Sequence, residues 1–354
     1  MAGLVESNTG TGVGSSREQQ LLDVLGRFDD AYFNQDAGEL RGLLADDVVL
    51  HAGKRCYHIV TETDRRGAEE VARFFDKFFK NYKYKHFPVV RAVNEETGSA
   101  YCLWDDEDVL MRPEQFDEAL PAAGNVTSVS GIWRLVLDDG SKVKHIWFLR
   151  QLTREEKKHR LKHRPNQLYS DFHAKSLVGP TLDLSEKQIE KMHAAAEAFN
   201  EAWRTGDCGP VHSVLAPSAH SVSPIFGETK ASRQEWEEMV HDVFRVWEVR
   251  SNEVDIAVTP SSNKAFIFWH VRGVQKDTQQ DNDMFGLNLL VFDVKEGLIS
   301  EVVGFRQPLQ SEHDHIFKAG SYLEMKERDA QLKQSEAPGS SKDQGTQTEG
   351  EAAV

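Results

Sequence analysis

The alternation of apolar and polar positions divides the chain into two similar successions of helices and strands. Apolar residues recur every three or four positions from Glu18 to Asn34 and again from Gly67 to Phe79, which predicts two amphipathic helices. Strands are then predicted at about 86–94, 99–106, 127–138 and 142–151. The succession returns with helices over 185–204 and 232–246 and strands at about 252–259, 264–274, 284–293 and 297–307. Because helices precede a block of neighbouring strands in both halves, the pattern indicates an α+β fold.

Three short sequences recur in the same order, which indicates an internal duplication. Segment 32–36 corresponds to 203–207, segment 100–104 to 265–269, and segment 148–151 to 304–307. A repeat of this length predicts two duplicated domains, not a solenoid of small units. The predicted organisation is a flexible lead (1–17), a first domain (18–153), a basic linker (154–184), a second domain (185–312), a further helix (313–334) and a disordered tail (335–354).

Composition and net charge indicate which partners and which cellular location to expect. The 354 residues carry a formal net charge of −15, which disfavours nucleic acid or an anionic membrane as the main partner. The three cysteines, Cys56, Cys102 and Cys208, are widely spaced and form no Cys-x-x-Cys motif, so neither a disulfide framework nor a thiolate zinc site is predicted. We predict no metal and no cofactor. The first residues lack the apolar core of a secretory signal, so a cytoplasmic location is predicted, with plastid and ciliary locations left open.

A helix end followed by a short helix and a strand appears in both halves with related residues. The two segments read NQDAGELRGLLADDVVL at 34–50 and RTGDCGPVHSVLAPSAHSV at 204–222. Together with a closing hairpin in each half, they resemble the SnoaL-like branch of the nuclear transport factor 2-like superfamily. The resemblance implies two tandem cone-shaped domains, each a strongly curved antiparallel sheet wrapped around a long N-terminal helix. It also implies pairing through the sheets, as an intramolecular pseudo-dimer or a homodimer. Members of this superfamily include isomerases, dehydratases, polyketide cyclases, transport factors and oligomerisation domains, so the fold alone names no function.

The residues that steroid isomerases of this family use are missing from both halves. By position, the general base falls on Ala52 and Ser223, the tyrosine on Phe28 and Phe199, and the second aspartate on Trp133 and Asn288. None of these side chains titrates near neutral pH as a carboxylate or an imidazole does. The sequence therefore favours a non-catalytic ligand-binding or protein-interaction scaffold.

An enzyme is the alternative, a cofactor-independent lyase (dehydratase) or isomerase acting on a small hydrophobic carbonyl or hydroxyl compound in the first cone. His51 and His145 are its candidate acid–base pair, like that of the family's dehydratases, with Tyr32 or Asp47 nearby. Strand alternation places His51 on the face opposite the missing base unless a bulge re-aims it. If the face that His145 shares with Val143 and Trp147 lines the cone, the two histidines meet inside it. Core or surface histidines without a catalytic role explain the same residues.

Two further sets of residues are candidates for binding. Candidates for lining an apolar pocket with a few polar groups are Trp104, Trp133, Trp147, Trp203, Ser223, Trp269, His270 and Asn288. Core packing between sheet and helix is the alternative for these aromatic residues. The tail residues Thr346, Gln347 and Thr348 resemble the anchor by which disordered segments add a strand to the dynein light chain, which makes an adaptor in a motor-linked or cytoskeletal assembly a third hypothesis.

Overall fold

The chain forms two β-sheets, each packed against its own helices. The computed structural model describes residues 16–51, 64–110, 126–150, 172–222 and 232–306. The first sheet has six strands and the second has five. The predicted α+β class with two tandem cone-shaped domains is confirmed.

The first domain contains three helices and six strands. The helices are α1 (Ser16–Phe33), α2 (Ala37–Leu43) and α3 (Ala68–Asn81). The strands are β1 (Leu44–His51), β2 (Arg65–Arg66), β3 (Tyr82–Asn94), β4 (Ser99–Leu110), β5 (Val126–Leu137) and β6 (Val143–Arg150), in the order β2-β1-β6-β5-β4-β3. Asp36 starts α2 by accepting a hydrogen bond from the Glu39 amide at 2.9 Å, so the predicted helix break has a capping residue.

The second domain repeats this arrangement. Its helices are α4 (Glu186–Thr205), α5 (Gly209–His212) and α6 (Arg233–Val246). Its strands are β7 (Leu215–Val222), β8 (Trp247–Val258), β9 (Lys264–Gln275), β10 (Asp281–Asp293) and β11 (Leu298–Arg306), in the order β7-β11-β10-β9-β8. Gly206, at φ +78°, ends α4 in the left-handed conformation that glycine adopts without strain.

Both sheets are antiparallel apart from one pair of strands. Strand β1 lies parallel to β6, and β7 lies parallel to β11. The expectation of a wholly antiparallel sheet is therefore wrong at this position. The chain reaches β1 from helix α2 and pairs it with the last strand of the domain, so no hairpin imposes an antiparallel direction on the pair.

Three apolar clusters account for the packing of the described residues. One lies inside the first domain, between its sheet and helices α1 and α3, and one lies inside the second domain. The third lies between the outer faces of the two sheets and includes Tyr101 and Leu103 from the first sheet and Phe266 and Phe268 from the second. The two sheets therefore pack against each other within one chain.

A segment of the predicted linker packs against both sheets. A short 3-10 helix, Ala174–Leu177, lies against the first sheet, and the Ala174 amide donates to Ser130 Oγ at 2.9 Å. Phe172 meets Phe305 of the second sheet edge to face. Residues 154–171 of the predicted linker, the helix predicted at 313–334 and the tail at 335–354 lie outside the described residues.

Candidate functional site

The interior of the first cone is lined by aromatic side chains from every layer of the domain. Tyr32 of helix α1 lies 5.0 Å, centroid to centroid, from Trp133 of β5. Trp104 of β4 lies 5.3 Å from Trp133 and stacks on Phe148 of β6 at 5.7 Å. All four side chains are buried. Successive side chains along a strand point to opposite faces of the sheet. Trp104 on β4 and Trp133 on β5 therefore face the interior of the cone, and their neighbours along these strands face the second domain.

A glycine on the neighbouring strand makes room for Trp104. A Cβ on Gly131 would lie 2.0 Å from the Trp104 ring, so no larger residue fits there without displacing the indole. The second domain repeats the contact, because a Cβ on Gly286 would lie 2.2 Å from the ring of Trp269. The indole–glycine contact is thus a shared element of both cones.

Polar groups meet within this aromatic interior. His86 of β3 and Asp106 of β4 face each other across the sheet, and His86 Nδ1 lies 2.6 Å from Asp106 Oδ1. The Tyr32 hydroxyl donates to Asp106 Oδ2 at 3.5 Å. Asp29, one helical turn before Tyr32, lies 3.7 Å from His86 Nε2 through its Oδ1 atom. We call these four residues, Asp29, Tyr32, His86 and Asp106, the cone cluster.

Arg91 of β3 completes the charge arrangement around Asp29. Its Nε donates to Asp29 Oδ2 at 2.7 Å, which leaves Oδ1 toward His86. The 3.7 Å gap between Asp29 Oδ1 and His86 Nε2 exceeds hydrogen-bond distance, so Asp29 acts on His86 through its charge. Two carboxylates therefore flank one imidazole, with one of them in direct contact.

The pKa values within the cone cluster follow from burial and from this pairing. Burial is the largest influence and lowers the pKa of His86, but the hydrogen bond and charge of Asp106 and the charge of Asp29 outweigh it and raise that pKa to about 9. Burial raises the pKa of the Asp106 carboxyl, and His86 opposes that rise in part. At neutral pH His86 is therefore an imidazolium, a proton donor rather than a base.

Several polar atoms of the interior make no hydrogen bond among the described residues. These buried atoms are Asp29 Oδ1, His86 Nε2, Trp104 Nε1 and Trp133 Nε1. A buried polar atom without a hydrogen bond destabilises the fold by about 1–3 kcal/mol. Three of the four are donors, so the interior can supply N–H groups to an oxygen atom of a bound molecule.

The predicted histidine pair forms, but on the other face of the sheet. His51 Nε2 lies 3.1 Å from His145 Nδ1, and His51 Nδ1 lies 3.3 Å from Asp64 Oδ2. Both rings lie beside Trp147, which belongs to the cluster between the two sheets. His145 shares the face of Trp147, as predicted, but not that of Val143. The register of β6 shifts between Val143 and His145, so Val143 points into the cone and His145 does not.

The other candidates of the first domain lie in two different environments. Tyr32, Trp104 and Trp133 lie inside the cone, whereas Trp147 lies on the outer face against Phe268 at 4.9 Å. Asp47 is exposed and lies 3.7 Å from Lys144 Nζ. The structure therefore brings Tyr32 to a titratable pair, but a different pair from the one predicted.

The candidates of the second domain do not converge on a charged centre. Trp203 packs edge to face on Trp236, and Trp269 lies partly buried in the interior cluster. His270 pairs with Asp283 on strand β10, and Asn288 is half-buried. Ser223, Thr346, Gln347 and Thr348 lie outside the described residues.

The second cone carries different residues at the positions of the cone cluster. The repeat alignment and the strand register place Asn200 at the position of Asp29, Trp203 at that of Tyr32, Asn252 at that of His86 and Val271 at that of Asp106. None of these side chains titrates in the physiological range. At these four positions the described part of the second cone therefore has no acid–base pair.

Sequence reasoning missed Asp29, His86, Arg91 and Asp106. Asp29 could have been noticed because it lies on the apolar face of helix α1, between Phe28 and Tyr32. Asp106 follows a run of buried residues along β4. Their convergence on His86 depends on the pairing register of β3 with β4, which contains a bulge between Pro88 and Val90. A single sequence does not reveal that register.

The described part of the chain contains neither a metal-binding group of side chains nor a membrane-spanning helix. No group of three or more His, Cys, Asp or Glu side chains there is arranged to hold a metal ion. No helix in the same ranges is long and apolar enough to cross a bilayer. Fold and interior together define a cone-shaped α+β domain with an enclosed acid–base pair.

Comparison with known proteins gives one family match, in the first domain. Residues 25–145 match the family model of the SnoaL-like domain, the branch that the sequence motif resembles. A search of the curated proteins gave no match.

The solved structures that resemble this chain match well under half of its length. A protein named as a polyketide cyclase from Xanthomonas campestris pv. campestris is 19% identical, covers 38% of this chain and 91% of its own, and has a TM-score of 0.33. An NTF2-like protein of unknown function from Mesorhizobium loti is 15% identical over 39% of this chain and 97% of its own, with a TM-score of 0.30. Rv0760c from Mycobacterium tuberculosis, in complex with estradiol-17beta-hemisuccinate, is 15% identical over 36% of this chain and 92% of its own, with a TM-score of 0.30. At these values the likeness extends to neither substrate nor activity.

Proposed function

We propose that the first cone binds a small, predominantly hydrophobic carbonyl or hydroxyl compound and that His86 donates a proton or a hydrogen bond to its oxygen. The observation that carries this proposal is the His86–Asp106 pair inside an aromatic interior, where His86 Nε2 is buried and makes no hydrogen bond among the described residues, although the Asp29 carboxylate lies 3.7 Å from it. The class of reaction that such a donor supports is the isomerisation or dehydration of a carbonyl or hydroxyl compound.

Each residue of the cone cluster has a separate task in this proposal. Asp106 accepts from His86 Nδ1, which fixes the ring and keeps its pKa near 9. Nε2–H is then the free donor, and it points away from Asp106 because the two nitrogens lie on opposite sides of the ring. Tyr32 donates to the second oxygen of Asp106 and limits the rotation of the carboxylate. His86 thus acts as an acid or as a stabiliser of an oxyanion, not as a base.

A bound molecule has to displace part of the packing seen here. Among the described residues, the rings of Tyr32, Trp104 and Trp133 occupy the space around His86, with centroids 5.1, 5.8 and 5.2 Å from its own. Ligand entry therefore involves rotation of one or more of these rings. Because two of them are indoles, binding is expected to change the intrinsic fluorescence of the protein.

Binding of 2-naphthol to the full chain tests this proposal. It is an aromatic hydroxyl compound, and its titration at about pH 7 is followed by tryptophan fluorescence and by calorimetry, below the pKa of His86. We expect His86→Asn, which introduces the residue found at the same position of the second cone, to weaken binding at least about tenfold through the lost charged donor. His51→Asn on the outer face is the matched control and is expected to bind as the wild type does. Equal affinities of the wild type and His86→Asn would overturn the proposal.

A non-catalytic scaffold is the second candidate, and one observation favours it. The described interior of the second cone has no titratable pair, and its outer face is buried against the first sheet. Under this proposal neither cone binds a small molecule, and His86 only fills the core. The absence of any saturable binding or turnover across small hydrophobic ketones, phenols and alcohols, with partner binding retained in His86→Asn, would support it. The adaptor role of Thr346–Thr348 and the cytoplasmic location stay predictions.

A further inference from the structure

The outer faces of the two sheets meet around a buried ion pair. Arg134 of β5 reaches Asp255 of β8, with Nη2 2.8 Å and Nε 3.0 Å from Asp255 Oδ2. The side chains of Arg134 and Asp255 are 5% and 2% exposed. One charge of the pair comes from each domain, so the contact exists only when the domains are together.

Further contacts hold both charged groups in place. Asp255 also accepts from Tyr101 Oη at 2.7 Å, from Asn94 Nδ2 at 2.7 Å and from Thr97 Oγ1 at 3.0 Å, all from the first domain. The Arg134 guanidinium lies over the rings of Trp147 and Phe268, 4.7 and 4.1 Å from their centroids. Burial would raise the pKa of Asp255, but the charge of Arg134 and hydrogen bonds from Ser99, Tyr101 and Arg134 outweigh it and lower that pKa.

Corresponding residues of the two domains meet near the centre of this interface. Tyr101 and Phe266 occupy the same position of the repeat, and their rings stack at 5.3 Å. Arg134 pairs with Tyr101 across β4 and β5, just as Leu289 pairs with Phe266 across β9 and β10. The position of Arg134 in the first domain is therefore occupied by Leu289 in the second.

The position of Asp255 can be matched in the same way. Asp255 pairs with Phe268 across β8 and β9, just as Val90 pairs with Leu103 across β3 and β4. Phe268 and Leu103 occupy the same position of the repeat. The position of Asp255 in the second domain is therefore occupied by Val90 in the first.

These correspondences show what the ion pair excludes. Two first domains packed in this way would bury Arg134 against Val90, and two second domains would bury Asp255 against Leu289. Either arrangement leaves a buried charge without its partner, which strongly destabilises a protein interface. We propose that the Arg134–Asp255 pair makes the outer face of the first sheet selective for the second domain and directs it away from another copy of itself.

Selectivity explains this pair better than stability does. Replacing a buried ion pair with apolar residues of similar volume is often neutral or stabilising, because both charges lose their hydration on burial. An interface held by packing alone could use Leu and Val at both positions, as the chain already does at the corresponding sites. The charges distinguish an unlike pair, in which a first domain packs on a second domain, from a like pair, in which two copies of the same domain pack together. This holds whether or not the first cone binds a ligand.

Pairing after cleavage tests the proposal directly. A protease site is inserted within residues 154–171 of the full chain, and the chain is cut there. The two pieces are unfolded in urea and refolded together. Native mass spectrometry then measures the masses of the complexes that they form. We expect the wild-type pieces to form unlike pairs only. The variant Arg134→Leu/Asp255→Val gives each position the residue of the other domain, and we expect like pairs to appear beside unlike ones. Like pairs from the wild type in random proportions, or unlike pairs alone from the variant, would overturn the proposal.

A double-mutant cycle on the intact chain covers the case in which the pieces fail to refold. Arg134→Leu and Asp255→Val are each expected to lower the urea midpoint clearly, because each strands a buried charge, and the double variant is expected to recover most of that loss. The exposed pair Arg27–Glu39 is the matched control, and Arg27→Leu, Glu39→Val and their combination should change the midpoint little. Losses that simply add in the Arg134 and Asp255 cycle would contradict a mutual dependence of the two charges.

Discussion

The His86–Asp106 pair makes the stability of the protein depend on pH in a defined direction. The pKa of His86 rises from the ordinary value of 6.5 to about 9 on folding. A raised pKa means that the folded state binds the proton more tightly than the unfolded state does. The resulting stabilisation is therefore fully present below about pH 6.5 and is lost as the pH rises through about 9.

The size of this effect follows from the difference between the two pKa values. One pKa unit corresponds to about 1.4 kcal/mol, so the rise to about 9 is equivalent to roughly 3 kcal/mol. The His86 side chain is 1% exposed, so solvent screens little of this interaction. We expect the free energy of unfolding to fall by about 3 kcal/mol from this residue between about pH 6 and about pH 9.5.

Urea unfolding at these two pH values measures the effect, with tryptophan fluorescence as the signal. His86→Asn is the comparison, because it carries no titratable group at this position. Burial lowers the pKa of Lys264, and because this residue is present in both proteins, its contribution cancels in the difference. The same loss of stability with rising pH in wild type and His86→Asn would refute the reasoning.

Three further predictions concern local packing, capping and thiol reactivity. Gly131→Ala places a Cβ 2.0 Å from the Trp104 ring and is expected to lower the unfolding free energy by about 1–3 kcal/mol. Gly42→Ala in α2 meets nothing within 4 Å and is expected to raise it by about 0.5–1 kcal/mol, so urea midpoints that move in the same direction would contradict this contrast. Ser232→Ala removes the cap of α6 and should cost about 1 kcal/mol in thermal unfolding, and an unchanged midpoint would show that the cap contributes nothing. Burial raises the pKa of the Cys102 thiol well above its usual value, so Cys102 should react with a disulfide reagent only after unfolding, and a fast reaction abolished by Cys102→Ser would argue otherwise.

Local sequence signals are sufficient to predict most helices and strands and their order along the chain. Helix α4 was predicted from Ser185 to Arg204 and is found at Glu186–Thr205, because a capping serine and a following glycine mark its two ends. Strand β9 was predicted at 264–274 and is found at Lys264–Gln275. These features depend on neighbours within a few positions, which a single sequence contains.

The site could be predicted only in part, because it depends on contacts between distant strands. Of the three tryptophans predicted to line a pocket in the first domain, Trp104 and Trp133 lie in the interior and Trp147 lies on the outer face. The pattern gives His145 the face of Val143 and Trp147, and one register shift separates it from Val143 and leaves it beside Trp147. His86 becomes notable only when β3 is set beside β4, where Asp106 lies opposite it.

The indole–glycine contact, found in both cones, orders events in the history of the chain. Trp104 with Gly131 and Trp269 with Gly286 occupy the same positions of the two copies, so one ancestral domain that already held this contact accounts for both. The cone cluster and the Arg134–Asp255 pair lie at positions where the other copy has different residues. Each of these features therefore arose or was lost after the duplication. After the duplication the two copies therefore diverged in the charged residues of the cone interior and of the contact between the sheets, while both carry the indole–glycine contact.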